Sequence, residues 1–222
     1  MSKHIMKQKM KNLLIIGARG WAREVFSSIK DSEDVKNGEL EIKGFLDSKS
    51  DAFEGLRGNY PPIISAPENY EIQPNDIFFV AMGDPKWRKF YAEMFESKGA
   101  HFYTFISSGA YVNDTAEIGE GSYIARWCAI SDNVNIGKHV IIHPFSNLGH
   151  DAQVRDYGTL LSNVFIGGGA IVGEGSQMSP KSIIIPHKKI GDNVMVGAAS
   201  VVMRNIKDGL SVLGNPAKKI EL

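Results

Sequence analysis

A histidine followed directly by an acidic residue is the clearest candidate for acid–base chemistry in this chain. His150 precedes Asp151, and it is one of six histidines. An imidazole titrates near neutral pH and can take a proton from an attacking group. A neighbouring carboxylate can hold the ring in one tautomer and raise its basicity. His143, which follows the apolar Ile142, is the runner-up. For both histidines the alternative is a solvated turn residue.

The elements that must position this pair show a fixed period of six residues. An amphipathic helix needs apolar spacings of three and four and a lone strand needs two, so the period fits neither. It predicts short strands joined by turns into a triangular coil with about eighteen residues per turn. Small residues precede the apolar ones by two positions, and glycines are expected to accept the corner geometries. The periodic positions are Val112, Ile118, Ile124, Ile130, Ile136, Ile142, Leu148, Val154, Leu160, Ile166, Val172, Met178, Ile184, Ile190, Val196 and Val202.

This register places His150 at a corner of the coil, two residues after the inward-facing Leu148. Asp132 and Gly168 lie eighteen residues away on either side, so they should stack on the same corner. Gly168 sits within three successive glycines, which would clear space beside the imidazole. The general rule for parallel crossovers favours a right-handed coil, and the period alone does not decide the hand.

A zinc site is the competing interpretation of the histidines. His143, His150 and His187 are separated by 7, 37 and 44 residues, none of which is a multiple of eighteen. They therefore do not stack on one corner, and a zinc ion needs converging ligands. Ligands shared between subunits leave the alternative open, but no metal is expected.

The N-terminal half alternates apolar runs with amphipathic stretches, which is typical of a small parallel α/β unit. Gly17 and Gly20 follow the first apolar run, where a turn could bring backbone N–H groups to a phosphate. The run lacks the middle glycine of G-x-G-x-x-G, so NAD binding is not favoured and a generic tight turn is the alternative.

Composition narrows the class of protein further. Twenty-five basic residues balance twenty-five acidic ones, which gives no reason to expect a nucleic-acid or membrane partner. A single cysteine, Cys128, and the lack of a leader-like start indicate the cytoplasm. Cys128 occupies an inward position with no histidine beside it, which argues against a covalent intermediate on its thiol.

Short motifs in both halves resemble one family. They are Ile15-Ile16-Gly17-Ala18-Arg19-Gly20, Phe45-Leu46-Asp47, Ala81-Met82-Gly83-Asp84 and the closing Gly214-Asn215-Pro216-Ala217-Lys218. With the hexads, they resemble the hexapeptide-repeat sugar O-acyltransferase, sialic-acid O-acetyltransferase family, which includes bacterial UDP-4-amino-sugar N-acetyltransferases. The resemblance implies an α/β Rossmann-like domain followed by a left-handed parallel β-helix. The expected segments are a disordered extension at 1–10, a nucleotide-sugar-binding domain at 11–105, a β-helix acyltransferase domain at 106–205 and a tail at 206–222.

The activity that the resemblance implies is acetyl-CoA-dependent N-acetylation of a nucleotide-linked amino sugar, a UDP-4-amino-4,6-dideoxy sugar, in glycan biosynthesis. His150 would be the general base and Asp151 its partner, with direct transfer in a homotrimer. The alternatives are O-acetylation of sialic acid or another sugar hydroxyl, and a non-enzymatic trimeric scaffold or nucleotide-sugar sensor.

The resemblance also implies two sets of binding residues. The acetyl-CoA set is Thr159, Gly168, Pro180 and Ala198. The nucleotide-sugar set is Arg19, Gly20, Trp21, Asp47, Ser48, Met82 and Gly83. This chain differs from the family at four of the expected positions. Thr159 and Trp21 each stand where the family has a histidine, Ser48 stands where it has a second aspartate, and Asp151 stands where it has a glutamate.

Overall fold

The structure is a computed structural model that describes residues 10–221. The extension predicted at residues 1–10 therefore lies, except for Met10, outside the described residues. Within the described chain, residues 10–82 and 93–103 form one compact unit, and residues 83–92 and 104–221 form a second. In this part of the chain no helix is both long and apolar enough to cross a membrane.

The first unit is built on a parallel sheet with the strand order β3-β2-β1-β4. Its strands are β1 (Lys11–Ile16), β2 (Leu40–Leu46), β3 (Ile63–Ser65) and β4 (Asp76–Val80). The helices of the chain are α1 (Gly20–Ile29), α2 (Glu33–Lys36), a 3-10 turn (Pro67–Asn69) and α3 (Pro85–Glu96), of which α3 is divided between the two units. The predicted parallel α/β arrangement is confirmed, whereas the short helix α2 was not predicted.

Strand β1 lies inside this sheet because its four consecutive aliphatic residues, Leu13 to Ile16, suit a strand covered on both faces. The chain then turns at Gly17, whose φ of +102° favours glycine. A Cβ at Gly17 would lie 3.2 Å from the carbonyl oxygen of Ala81. The loop that follows β1 is thus held close to the residues that follow β4.

The second unit contains the repetitive coil, made of short strands β5 to β23. Within the coil, strands pair in parallel with residues eighteen positions away, as Leu148 does with Ile130 and Ile166. The predicted period and coil are therefore confirmed. The strands are Phe105–Ile106, Tyr111–Val112, Glu117–Ile118, Tyr123–Ile124, Ala129–Ile130, Asn135–Ile136, Ile141–Ile142, Asn147–Leu148, Gln153–Val154, Thr159–Leu160, Phe165–Ile166, Ile171–Val172, Gln177–Met178, Ile183–Ile184, Lys189–Ile190, Met195–Val196, Val201–Val202, Ser211–Leu213 and Lys218–Ile220.

Three sheets form the sides of the coil, in the orders β19-β16-β13-β10-β7, β21-β18-β15-β12-β9-β6 and β23-β22-β20-β17-β14-β11-β8-β5. In strands β6 to β21 the second residue is the periodic apolar one, and all of these side chains except Val112 and Ile118 are buried in the interior. Small polar residues complete the interior by linking coils: the Ser122 hydroxyl donates to the Gly137 carbonyl and accepts from the Val140 N–H, both at 2.9 Å. Ser146 and Ser176 make the same pair of hydrogen bonds at the equivalent position.

The corners differ from the prediction that glycine would occupy their special conformations. Left-handed backbone recurs at the second residue of the turns, but most of these residues carry side chains. They include Trp127 (φ +61°), Asn133 (φ +54°), His139 (φ +53°), Phe145 (φ +65°), Asp151 (φ +59°), Tyr157 (φ +59°), Asn163 (φ +62°), Lys181 (φ +61°), His187 (φ +61°), Asn193 (φ +53°) and Ala199 (φ +55°). Because this conformation is fixed by the coil, side chains from successive turns stack in columns along each corner.

Candidate active site

His150 and Asp151 form a corner between strands β12 and β13, and their side chains interact directly. His150 Nδ1 lies 2.7 Å from Asp151 Oδ2. The His150 side chain is 66% exposed, so the rest of its ring is open to a ligand. An ionised carboxylate only accepts hydrogen bonds, so Nδ1 is the donor and Nε2 is left as the basic nitrogen. The pair therefore has the geometry of a base and its orienting group.

The charge of Asp151 is supported by two donors. Its pKa is lowered, first by the hydrogen bond from His150 and then by one from the Asn133 side chain. Asn133 Nδ2 lies 2.6 Å from Asp151 Oδ1. Both carboxylate oxygens are therefore held, and Asp151 stays ionised through the neutral range.

Gly168 lies against the imidazole, as the eighteen-residue register predicts. A Cβ at Gly168 would lie 2.7 Å from His150 Nε2 and 3.0 Å from Cε1, closer than real atoms approach. A glycine is thus required here for the ring to hold its place. The structure brings together three of the predicted residues, His150, Asp151 and Gly168.

Pro180 and Ala198 occupy a different corner of the coil, one turn apart. The Ala199 N–H donates to the Pro180 carbonyl at 2.9 Å, and both Pro180 and Ala198 are exposed. This corner precedes the strands of the β6-to-β21 sheet, whereas the corner of His150 and Gly168 follows them. The two corners therefore flank the same side of the coil.

Thr159, the remaining residue predicted to contact acetyl-CoA, does not lie at either corner. It is 3% exposed, and its hydroxyl accepts a hydrogen bond from Arg88 Nη2 at 2.7 Å. Where the family has a histidine, this chain therefore has a buried side chain that forms a hydrogen bond within the protein. Its side chain is not presented to a ligand.

Arg88 was not recognised from the sequence. It lies in the first half of α3, within the second unit, and is almost fully buried. Its Nε donates to the His139 carbonyl at 2.9 Å and its Nη2 to the Tyr157 carbonyl at 2.5 Å. Burial lowers its pKa to about 9. The guanidinium fork therefore ties α3 to two adjacent coils.

In the first unit, several predicted nucleotide-sugar residues lie at the carboxyl ends of the strands, where ligands bind in parallel α/β sheets. Arg19 is exposed at the N-cap of α1, and Gly20 begins that helix. Trp21 is half-buried. Met82 follows β4, and its Cε would lie 3.3 Å from a Cβ at Gly17. Gly83 is the next residue in the chain, is exposed and is the first residue of the second unit.

Asp47 connects two of these loops. Its Oδ2 accepts from the Ala18 N–H at 2.8 Å and its Oδ1 from the Lys49 N–H at 2.9 Å. Ser48, beside it, is exposed. Each carboxylate oxygen has a second lone pair, so Asp47 can shape the loops and still accept a hydrogen bond from a ligand.

The competing chemical groups have less suitable environments. Burial, followed by the charge of Arg88, lowers the pKa of His143 to about 4, which makes it a weak base at neutral pH. Burial raises the pKa of Cys128 to about 11, so its thiol is protonated at neutral pH. Its Sγ donates to the His143 carbonyl at 3.2 Å. Within residues 10–221, no three His, Cys, Asp or Glu side chains are grouped to hold a metal ion.

Comparison with known proteins agrees with both halves of this description. Residues 12–95 match the PglD N-terminal domain family. Over 226 residues the chain is 26% identical to the GDP-perosamine N-acetyltransferase of Escherichia coli O157:H7, covering 93% of this chain and 95% of that protein. The chain therefore carries a region that matches the PglD N-terminal domain, and over nearly its full length it is similar to an N-acetyltransferase of a nucleotide sugar. It is accordingly an acetyltransferase.

Two further similar proteins support the acetyltransferase assignment. The chain is 32% identical over 116 residues to the UDP-N-acetylbacillosamine N-acetyltransferase of Bacillus subtilis, covering 52% of this chain and 51% of that protein. A perosamine N-acetyltransferase from Caulobacter crescentus, a histidine-to-asparagine variant crystallised with CoA and GDP-perosamine, superimposes with a TM-score of 0.84 at 25% identity, covering 96% of this chain and 98% of that one. The predicted fold class, an α/β domain followed by a left-handed parallel β-helix, is confirmed.

Proposed function

We propose that this acetyltransferase transfers the acetyl group of acetyl-CoA to the amine of a nucleotide-linked amino sugar, with His150 as general base. The observation that carries the proposal is the corner geometry: Asp151 holds Nδ1 of His150, and Gly168 leaves room beside Nε2. The relatives support the acceptor class, because both curated relatives described above are named as N-acetyltransferases of nucleotide amino sugars.

The chemistry follows from this geometry. The neutral amine attacks the thioester carbonyl, so that an N–C bond forms and the C–S bond breaks. Nε2 of His150 takes the proton that the amine loses, while Asp151 stabilises the resulting imidazolium. The thiolate of CoA leaves and recovers a proton. Direct transfer is supported by the high pKa of Cys128, whose thiol is a poor acyl acceptor when protonated.

We assign the nucleotide-sugar site to the domain predicted at residues 11–105 and the acetyl transfer to the coil predicted at 106–205. The start of α1 at Gly20 offers backbone N–H groups to phosphates, with exposed Arg19 beside them. Trp21, Asp47, Ser48, Met82 and Gly83 complete the proposed set. The proposed acceptor is a UDP-4-amino-4,6-dideoxy sugar, and the GDP-linked name of one relative makes GDP sugars the comparison substrate.

We also propose a homotrimer, because one side of the coil is unusually apolar. The outward residues of the β6-to-β21 sheet include Tyr111, Phe165 and Ile183, all exposed. At the adjoining corner, Trp127 and Phe145 stack with ring centroids 4.7 Å apart. Packing this side against neighbouring copies would bring the His150 corner of one copy toward the Pro180 corner of another. Acetyl-CoA would then occupy the slot between them, in the cytoplasm.

An acceptor panel tests the activity. Purified protein is given acetyl-CoA with UDP- and GDP-linked 4-amino sugars, free sialic acid or buffer, and thiol release and acetylated product are measured. We expect an amino sugar to accelerate release and to gain one acetyl group. Release accelerated only by a hydroxyl acceptor would overturn N-acetylation, and release equal to buffer throughout would favour a scaffold or sensor.

The assembly has its own test. Native mass spectrometry of the full chain should give a trimer, and Phe165→Asp should weaken it by placing a charge in the apolar side. Lys189, which points outward on another sheet, provides a matched control as Lys189→Asp. A monomeric wild-type protein, or equal effects of the two variants, would contradict this interface.

A further inference from the structure

Polar side chains from successive turns of the coil line up along the corner of His150, and this column continues one turn toward the N-terminus. Asn133 occupies the position eighteen residues before Asp151, with the same left-handed backbone. Its side-chain amide donates to Asp151 Oδ1 at 2.6 Å, while Asp151 Oδ2 receives His150 Nδ1 at 2.7 Å. The carboxylate is therefore held by two hydrogen bonds, one from its own turn of the coil and one from the preceding turn.

Asn133 is itself anchored by the preceding coil. Its backbone N–H donates to Thr115 Oγ1 at 2.8 Å, and the Thr115 hydroxyl lies 2.6 Å from Asp132 Oδ1. The Asp151 N–H donates to the Asp132 carbonyl at 3.0 Å. Side-chain and backbone hydrogen bonds thus link three successive turns of the coil, those that carry Thr115, Asn133 and Asp151. The backbone that carries the Asn133 amide is therefore held in place.

The residue type at position 133 suits this task. Asparagine tolerates the left-handed conformation better than most residues, and its amide is a neutral donor. Because Asp151 only accepts, the NH₂ group must face it. An aspartate at position 133 would place two carboxylates at this short distance, and they would repel each other.

We propose that Asn133 is a positioning residue for the reaction: it orients Asp151, which in turn fixes His150 in the Nδ1–H tautomer with Nε2 free to act as base. The inference rests on the proposed role of His150. Asn133 does not touch the reacting atoms, so its effect passes entirely through Asp151. Asp151 without this second contact would rotate, and the imidazole would sample its other tautomer.

Kinetics of the full-length enzyme test this path. Asn133→Gly removes the side chain without straining the left-handed backbone. We expect kcat to fall about 10-fold, which is less than the roughly 100-fold expected for loss of a general base. The KM for acetyl-CoA should not change. Asn133→Asp should lose more, because repulsion replaces attraction. Asn193→Gly is the matched control, since Asn193 has the same backbone (φ +53°) on another corner, and it should keep wild-type kinetics.

A double-mutant cycle isolates the coupling. In an Asp151→Ala background, Asn133→Gly should cause no further loss, because the residue through which it acts is gone. An equal loss in both backgrounds, or wild-type kcat in Asn133→Gly and Asn133→Asp, would overturn the inference.

The tautomer of His150 gives a readout independent of acetyl transfer. Nitrogen-15 NMR of selectively labelled protein should show His150 protonated on Nδ1 in the wild type and in Asn193→Gly, with a mixture of tautomers in Asn133→Gly. If the wild type transfers no acetyl group, the proposed function fails while the tautomer shift still tests Asn133. A His150 tautomer unchanged by Asn133→Gly would contradict the positioning role.

Discussion

Gly168→Ala is the substitution whose effect can be worked out most directly from the structure. The added Cβ would lie 2.7 Å from His150 Nε2, about 0.7 Å inside the 3.4 Å at which ordinary contact begins. Gly168 does not have a positive φ, so alanine introduces no strain in the backbone. The exposed imidazole is the group that must move, and its Nε2 is the atom proposed to take the proton.

A displacement of this size predicts a large kinetic effect with little effect on folding. Misplacing a catalytic group by about 1 Å can cost about 100-fold in rate, so we expect kcat to fall between roughly 10- and 100-fold. The free energy of unfolding should change by less than about 0.5 kcal/mol, since the ring can swing into solvent. Thiol release and product formation at saturating acetyl-CoA measure kcat, and chemical denaturation measures stability.

Two controls separate the base from the cosubstrate. Gly109→Ala meets only ordinary contact, 3.5 Å from Arg126 Cβ, and should leave kcat unchanged. In a His150→Ala background, Gly168→Ala should have no further effect on kcat. The reasoning is refuted if Gly168→Ala keeps wild-type kcat, or if its only effect is a higher KM for acetyl-CoA, which would assign Gly168 to cosubstrate binding alone.

Three further predictions concern other residues of the second unit. Cys128→Ser should retain wild-type kcat, because the buried thiol is protonated and a hydroxyl can make the same hydrogen bond; a loss above about 10-fold would favour a covalent acetyl-enzyme. Burial lowers the pKa of His139 from 6.5 to about 3, so the folded protein binds this proton less readily than the unfolded chain. The free energy of unfolding should therefore decrease as pH falls between those two values, by at most about 1.4 kcal/mol per pH unit. His139→Asn, which suits the same backbone, should flatten this dependence in denaturant titrations at several pH values, and an unchanged slope would contradict it. Arg88→Lys should lower the free energy of unfolding by roughly 2–4 kcal/mol, because lysine cannot reproduce the two hydrogen bonds of the guanidinium to the His139 and Tyr157 carbonyls. Thermal unfolding equal to that of the wild type would contradict this structural role of Arg88.

The coil could be predicted because its interior imposes the same requirement on every sixth residue, so the pattern from Val112 to Val202 is independent of distant contacts. The corner placement of His150 beside Gly168 followed from the same register. The role of Arg88 could not be predicted in this way, because its partner Thr159 lies 71 residues further along the chain. Asn133 was missed although it lies eighteen residues before Asp151, since the period gives proximity without saying which side chains turn toward each other. The burial of Thr159 could not be predicted either, because its contact with Arg88 has no local sequence signal.

The most direct test of the central claim is product formation by wild type and His150→Ala at neutral pH, with acetyl-CoA and a nucleotide-linked 4-amino sugar, followed by mass spectrometry. Isothermal titration of both proteins with CoA establishes that the variant still binds. We predict that the wild type adds one acetyl group to the sugar amine, and that His150→Ala binds CoA normally but forms product at least about 100-fold more slowly. Equal rates for the two proteins would contradict the assignment of His150 as the base.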